Sequence, residues 1–187
     1  VEGPDLAALL ALQMQVLEEL CRELDRSDEA DEWARQREAL VARMLDRMWQ
    51  GDRFACLDID NRPIKSGDSL VVWLPLVIGE TLPPDVREAL VAGVERFVTA
   101  RGLATEHPES PMYQADGYWR GPIWAPTTCL VVDALQRLGR MDLATRIAKR
   151  FIDNCAANGM AENFNALDGT GLRDRAYSWT ASVFLTL

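Results

Sequence analysis

The residues best suited to chemistry form a dense aromatic segment, residues 118–124, with the sequence YWRGPIW. A sugar site needs apolar planes for C–H faces together with planar donors for hydroxyl groups. Trp119 and Trp124 supply such planes, and Arg120 between them supplies the donors. The structural alternative is that the tryptophans anchor a loop and Arg120 forms an ion pair. These residues alone leave both interpretations open.

A second candidate is the acidic loop Glu162-Asn163-Phe164-Asn165, which continues into the turn sequence DGTG. A carboxylate in a polar, glycine-flanked loop that leads into a buried helix can act as a general base. Most loop glutamates are merely solvated, so Glu162 carries little weight by itself. Trp179, at the start of the last helix, either forms the floor of a pocket or belongs to the core.

Seven helical segments must position these loops, and apolar spacing predicts them at 5–24, 28–50, 69–79, 84–100, 123–138, 141–157 and 176–187. Segment 69–79 is apolar on every side and contains Pro75, so a buried strand is the alternative there. Broadly apolar segments alternate with segments that carry a single apolar stripe. The first kind must be enclosed, whereas the second covers a surface. This alternation predicts an all-α fold, a partial (α/α)6 toroid of about seven helices.

Three long connections, rich in Gly, Pro, Asn and Asp, join the helices at 51–68, 101–122 and 158–175. The first predicts a short β-hairpin that turns at Asp60-Asn61. Each connection enters a broadly apolar helix, so we expect all three at the same end of the toroid. Long loops held on a rigid scaffold are where sites usually form.

Charge and cysteine content exclude several classes of partner. The formal net charge of the 187 residues is -9, which disfavours nucleic acid and anionic membrane as partners. The four cysteines form no C-x-x-C pair and His107 is the single histidine, so we predict no zinc site and no cofactor. Cys129 and Cys155 fall in apolar helical patterns typical of buried free thiols. A reducing, cytoplasmic compartment is therefore predicted.

The ordered motifs YWRGPIW, ENFNALDGTG and YSWTASVFL resemble the catalytic barrel of glycoside hydrolase family 63. That group includes processing α-glucosidases and mannosylglycerate or glucosylglycerate hydrolases, with trehalases as more distant relatives. The segments RFACLDID, WLPLVIG and GLATEHP also lie where the family has similar sequences. The resemblance therefore covers most of the chain.

The resemblance implies an inverting glycosidase that acts on a carbohydrate through an acid and a base about 6.5–9.5 Å apart. The family's general base matches Glu162. The motifs further imply that the sugar-binding residues are Tyr118, Trp119, Arg120, Gly121, Trp124, Asn163 and Trp179. We expect Tyr118, Trp124, Glu162 and Trp179 to converge at one end of the helices.

The family's general acid, an aspartate in an E-S-G-x-D-x-S type of motif, has no match in this sequence, because Glu109-Ser110 continues with Pro111-Met112. The motif's usual proline is also replaced, by Ala166-Leu167, and Asn165 stands where Asp is common. A closed barrel needs twelve helices. We therefore expect residues 1–187 to be the C-terminal portion of one barrel domain, with the acid in a missing N-terminal half. On its own the segment is expected to be inactive.

Two alternative functions remain at this stage. One is a sugar epimerase on a similar α/α barrel, although such enzymes typically transfer protons through histidines and this chain has only His107. The other is a carbohydrate-binding fragment without catalytic activity, which the unmatched general acid keeps open.

Overall fold

The computed structural model describes residues 1–65 and 67–187. In these residues it contains six α-helices and one 3₁₀ helix, which confirm the seven predicted segments. They are α1 (Pro4–Glu23), α2 (Ser27–Met48), the 3₁₀ helix (Leu70–Thr81), α3 (Pro84–Glu95), α4 (Ala125–Arg137), α5 (Met141–Asn158) and α6 (Ser178–Thr186). Two short strands, β1 (Asn163–Phe164) and β2 (Gly171–Leu172), pair antiparallel. No helix in the described ranges is long and apolar enough to cross a membrane.

The chain divides into two compact units, of which the first comprises residues 1–65 and 71–89. There α1 packs along α2, and Arg37 on α2 forms an ion pair with Glu18 on α1 at 2.9 Å. The buried residues of α1 are small, namely Pro4, Ala8 and Ala11. Its apolar stripe, in contrast, is exposed in this unit and consists of Leu6, Leu9, Leu10, Val16, Leu20 and Leu24. We call these six residues the leucine stripe.

Segment 69–79 forms the 3₁₀ helix rather than the alternative strand. Pro75 lies inside this helix, where an α-helix would lose a backbone hydrogen bond and meet the proline ring. The backbone leaves helical geometry at Ile78, with φ -113° and ψ 22°. Residues 73–79 are all buried, as the unbroken apolar run predicts.

One predicted helix boundary is wrong, and the first predicted hairpin is present. Helix α3 ends at Glu95 instead of near 100, because Thr99 folds a turn in which its hydroxyl accepts hydrogen bonds from the amides of Arg101 and Gly102. Connection 51–68 contains the predicted short hairpin, because Leu57 and Pro63 form an antiparallel bridge and the amides of Asp58 and Ile64 donate to the carbonyls of Arg62 and Cys56 at 3.0 and 2.8 Å. Its predicted turn is present, since Asn61 is left-handed (φ 61°). Ser66 in this connection lies outside the described residues.

The second unit comprises residues 90–187 together with a short segment that ends at Leu70. Helix α4 packs against α5 and α6, and α5 also contacts α6. The stripe predicted for α5 is buried, and Phe151 from this stripe meets Phe164 of β1 edge-on at 6.2 Å between ring centroids. The shared core also includes Ala104, Ile123, Ala125, Cys155, Ala161, Ala166 and Val183. Connections 101–122 and 158–175 contribute to this core and are thereby fixed to the helices.

Candidate active site

Backbone pairing joins the two predicted motifs. The Ile123 amide donates to the Phe164 carbonyl at 2.7 Å, and the Phe164 amide donates back to the Ile123 carbonyl at 3.1 Å. This bridge is antiparallel, so its register sets Asn163 beside Trp124, with Glu162 one residue further along. The aromatic segment and the acidic loop are thus neighbours, as predicted.

The acidic loop is a second β-hairpin, which the sequence pattern does not predict, and its strands β1 and β2 form the two-stranded sheet. Asn165 and Asp168 shape its tip, because their side chains accept the amides of Leu167 and Thr170 at 2.9 and 2.8 Å. The hydrogen bond from the Thr170 amide lowers the pKa of Asp168. Gly169 is left-handed (φ 86°), and a Cβ there would lie 2.2 Å from Asn154 Oδ1. Asp168 is therefore a turn-forming residue.

Glu162 enters this hairpin with a half-buried side chain. Its amide donates to the Asp174 carbonyl at 2.8 Å. None of the described residues donates a hydrogen bond to its carboxylate, which leaves the oxygens available to water. The preceding residue, Ala161, is fully buried, and its carbonyl accepts the Thr180 hydroxyl of α6 at 2.6 Å. The backbone at Glu162 is thus fixed from both sides while the carboxylate stays open.

The aromatic segment forms a stacked pair on a buried base. Trp119 lies parallel to Trp124, with centroids 4.0 Å apart and 11° between the planes. Tyr118 meets Trp124 edge-on at 4.9 Å, and its carbonyl accepts the Trp124 indole N–H at 2.9 Å. Trp124 is 1% exposed, whereas Trp119 and Tyr118 are 40% and 46% exposed. Trp124 is therefore the loop anchor, and Trp119 presents the plane that a sugar could contact.

Gly121 and Arg120 pack against Gln114 and stabilise the loop that carries this stack. Gly121 is buried with φ 148°, and a Cβ there would lie 2.4 Å from the Gln114 carbonyl oxygen, which explains the glycine. Arg120 donates to the side-chain oxygen of Gln114 at 2.9 Å. These contacts are structural, so the predicted role of both residues in sugar binding stays a prediction.

Trp179 is the second residue of α6; it is half-exposed and meets the Tyr177 ring edge-on at 5.7 Å. Partial burial and then the nearby negative charge of Glu162 raise the pKa of Tyr177, and Tyr118 and Asp174 add to this effect. The Tyr177 amide donates to the Met160 carbonyl at 2.8 Å, which joins the start of α6 to the segment that leads into Glu162. The four residues predicted to converge lie in one region of the second unit. Where connection 51–68 lies with respect to this region stays a prediction.

Sequence reasoning missed three residues of this region, namely Tyr177, Asp116 and Arg173. Tyr177 stands in the quoted YSWTASVFL motif, so its position next to Trp179 was an available signal. Arg173 donates to Asn163 Oδ1 at 3.1 Å and pairs with Asp116 Oδ1 at 2.5 Å. Sequence spacing gives no sign of this pairing, because Asp116 and Arg173 come from different connections.

Glu106 is a buried acid in the connection that leads into the aromatic segment. Its carboxylate accepts the Asp68 amide at 2.6 Å and the Ser110 hydroxyl. In the described part of the chain, no group of three or more His, Cys, Asp or Glu side chains is arranged to hold a metal ion. Glu106 is therefore assigned to loop structure.

The helices, together with the hairpin and the aromatic segment that they carry, define the class as an all-α domain of the (α/α)-barrel type. Residues 1–180 match the family model of the mannosylglycerate hydrolase MGH1-like glycoside hydrolase domain. The match covers nearly the whole chain, so the chain belongs to this family.

Individual relatives agree with this assignment. The chain is 29% identical over 191 residues to a mannosylglycerate hydrolase of Rubrobacter radiotolerans, covering 95% of this chain and 41% of the relative. It is 33% identical over 86 residues to mannosylglycerate hydrolase MGH1 of Selaginella moellendorffii, covering 46% of this chain and 18% of the relative. The chain thus spans less than half the length of the curated relatives it matches.

A solved structure confirms the fold class. The chain resembles the crystal structure of a glycoside hydrolase family 63 mannosylglycerate hydrolase from Thermus thermophilus in complex with glucose. The TM-score is 0.84 at 24% identity, over 99% of this chain and 45% of that chain. The predicted all-α, (α/α)-barrel fold with about seven helices and a short hairpin is thereby confirmed.

Proposed function

We propose that the complete protein hydrolyses an O-glycosidic bond with inversion and that Glu162 is its general base. The observation that carries this proposal is the half-buried Glu162 carboxylate, which takes no hydrogen bond from the described residues and stands on the hairpin that the Ile123–Phe164 bridge joins to the aromatic segment. The mannosylglycerate hydrolases among the relatives support a small sugar conjugate as substrate.

In the proposed reaction, Glu162 takes a proton from a water molecule that attacks the anomeric carbon from the side opposite the leaving group. The exposed Trp119 ring stacks against a C–H face of the sugar. Asn163, Arg120, Tyr118 and Trp179 are the proposed polar and aromatic contacts around it. Because the water stands between base and sugar, the general acid must lie about 6.5–9.5 Å from Glu162.

We propose that this acid lies in the N-terminal part of the same barrel domain, outside residues 1–187. The support is twofold: the chain spans less than half of its relatives' length, and the leucine stripe on α1 is exposed. An apolar stripe of this size on one helix fits packing against further helices better than contact with water. A cytoplasmic location also stays a proposal, supported by four free thiols.

The test is Glu162→Gln in the complete protein, which keeps the shape of the side chain but cannot take up a proton. We expect kcat to fall by about 10²- to 10⁴-fold, the usual contribution of a positioned acid–base group. The matched control is Glu109→Gln, an exposed loop glutamate, which should leave kcat unchanged. Azide needs no deprotonation to attack, so it should restore turnover in Glu162→Ala. Near-normal kcat in Glu162→Gln would reject the assignment.

A further inference from the structure

Arg173 bridges the two loops that carry the proposed site. It follows β2 directly, and its guanidinium donates to Asn163 on the hairpin. The same group pairs with Asp116 on the aromatic connection and also reaches the Asp116 carbonyl, at 3.4 Å. Its carbon Cζ lies 5.0 Å from the centroid of the Tyr118 ring, a cation–π distance. One side chain therefore contacts both loops at once.

Arg173 also decides which way the Asn163 amide faces. The Asn163 side chain is fully buried, and its oxygen accepts the Arg173 N–H. A guanidinium has only donors, so turning the amide over would set N–H against N–H. The Asn163 Nδ2 group is consequently held away from Arg173. This nitrogen is buried and has no hydrogen-bond partner among the described residues, which is unusual for a buried donor.

The backbone at both ends of the cation–π contact is sterically unfavourable. Tyr118 and Arg173 each adopt left-handed geometry, with φ 61° in both cases. The other non-glycine residues with this geometry in the described chain are Asp25 and Asn61, whose short polar side chains tolerate it. Tyr118 and Arg173 lack that tolerance, so their mutual contact helps to hold both conformations.

We propose that Arg173 is a positioning residue of this site: it orients the Asn163 amide and the Tyr118 ring, and thereby holds the hairpin that carries Glu162 against the aromatic segment. The inference rests on the proposed glycosidase function and deepens it. Arg173 itself need not touch the substrate. Its effect passes through Asn163, which adjoins both Glu162 in sequence and Trp124 in register.

The test measures kcat/KM of the complete protein for four variants: Arg173→Ala, Asn163→Ala, the double variant, and Arg146→Ala as control. Arg146 is an exposed arginine of α5 that pairs with Glu95. We expect Arg173→Ala to lose about 10²-fold in kcat/KM, as is typical when a reacting group is misplaced by about an ångström. Adding Arg173→Ala to Asn163→Ala should cost little more, since the second change acts through the first.

Two further measurements separate positioning from unfolding. Near-UV circular dichroism should change in Arg173→Ala, because Tyr118 and the tryptophan stack lose their fixed geometry, while the far-UV helical signal should match that of Arg146→Ala. Guanidinium ions at low millimolar concentration should restore part of kcat/KM in Arg173→Ala and not in Asn163→Ala. If Arg173→Ala does not fold, Arg173→Lys, which retains the cation over Tyr118, takes its place in the cycle.

The outcomes distinguish this inference from the function on which it rests. Kinetics of Arg173→Ala equal to those of Arg146→Ala would overturn the inference, as would losses that multiply fully in the double variant. Either result leaves the glycosidase proposal intact. If the unmodified protein hydrolyses no glycoside, the proposed function is wrong, and the inference about Arg173, which rests on it, is wrong as well.

Discussion

Thr180 is the residue whose replacement should show most directly how α6 supports the site. Its hydroxyl donates to the Ala161 carbonyl at 2.6 Å, and both residues are fully buried. Ala161 precedes Glu162, so this hydrogen bond ties the last helix to the proposed base. Thr180→Val replaces the hydroxyl by a methyl group of similar size and preserves the branching at Cβ.

The expected cost follows from the burial of the acceptor. Losing the donor leaves the Ala161 carbonyl without this partner in an apolar surrounding, which costs about 1–3 kcal/mol. The same helix offers a matched control in Thr186, whose hydroxyl donates to the Ser182 carbonyl at 2.9 Å but is exposed. Water replaces that lost donor, so Thr186→Val should change the free energy of unfolding by less than about 0.5 kcal/mol.

Urea unfolding of the complete protein, followed by circular dichroism, gives both free energies. We expect Thr180→Val to lower the unfolding midpoint with an unchanged slope, and to reduce kcat by several-fold because Glu162 is less firmly held. Equal stability changes in Thr180→Val and Thr186→Val would refute the reasoning. That result would mean that α6 does not restrain the hairpin through this bond.

Three further predictions follow from the same structure. Gly121→Ala should destabilise the fold by about 1–3 kcal/mol in urea unfolding, since a left-handed residue there meets the Gln114 carbonyl; Gly139→Ala, with φ 70° and nothing within 4 Å, should cost less. Burial raises the pKa of Cys155 from 9.0 to about 12, so its thiol should resist iodoacetamide at about pH 8.5 until urea is added, as read by peptide mass spectrometry. Because the folded-state pKa is the higher one, the stability that this thiol contributes is complete below pH 9.0 and disappears as the pH rises through about 12. Residues 1–187 expressed alone should bind a dye for apolar surface and should associate in size-exclusion chromatography. The double substitution Leu6→Gln and Leu20→Gln should reduce both the dye binding and the association. A monomer that does not bind the dye would contradict this prediction.

The helices could be predicted from sequence because they depend on local pattern. The apolar stripe of α5 specifies its buried face, and Phe151 on that face packs where expected. The adjacency of residues 118–124 and 162–165 required a family resemblance in addition. The physical cause of that adjacency is the Ile123–Phe164 bridge, which no spacing rule reveals.

The features that the sequence does not predict depend on contacts between residues that are not neighbours in the sequence. The hairpin at 51–68 follows from its turn residues, and Leu57 pairs with Pro63 as expected. Helix α3 ends early at the Thr99 turn, which the apolar stripe of that segment does not reveal. The leucine stripe shows the opposite case, since periodicity predicted an apolar face correctly without saying what covers it. The sequence gives no sign of the Arg173 contacts, because Asn163 and Asp116 come together with Arg173 only in the folded protein.

The proposed general base stands on a connection between helices, and several contacts hold this connection in place. A general base must be held to within a fraction of an ångström, yet Glu162 lies in a connection rather than a helix. Three attachments compensate for this: the Thr180 bond to Ala161, the Ile123–Phe164 bridge and the Arg173 contacts. The first joins the hairpin to α6, and the other two join it to the aromatic segment and the connection before it, so no single contact defines its position. Substitutions at these attachments should therefore lower kcat. Ala161 and Arg173 both lie at the open end of the hairpin, where the Glu162 amide donates to the Asp174 carbonyl, so the Thr180 and Arg173 changes should combine less than additively.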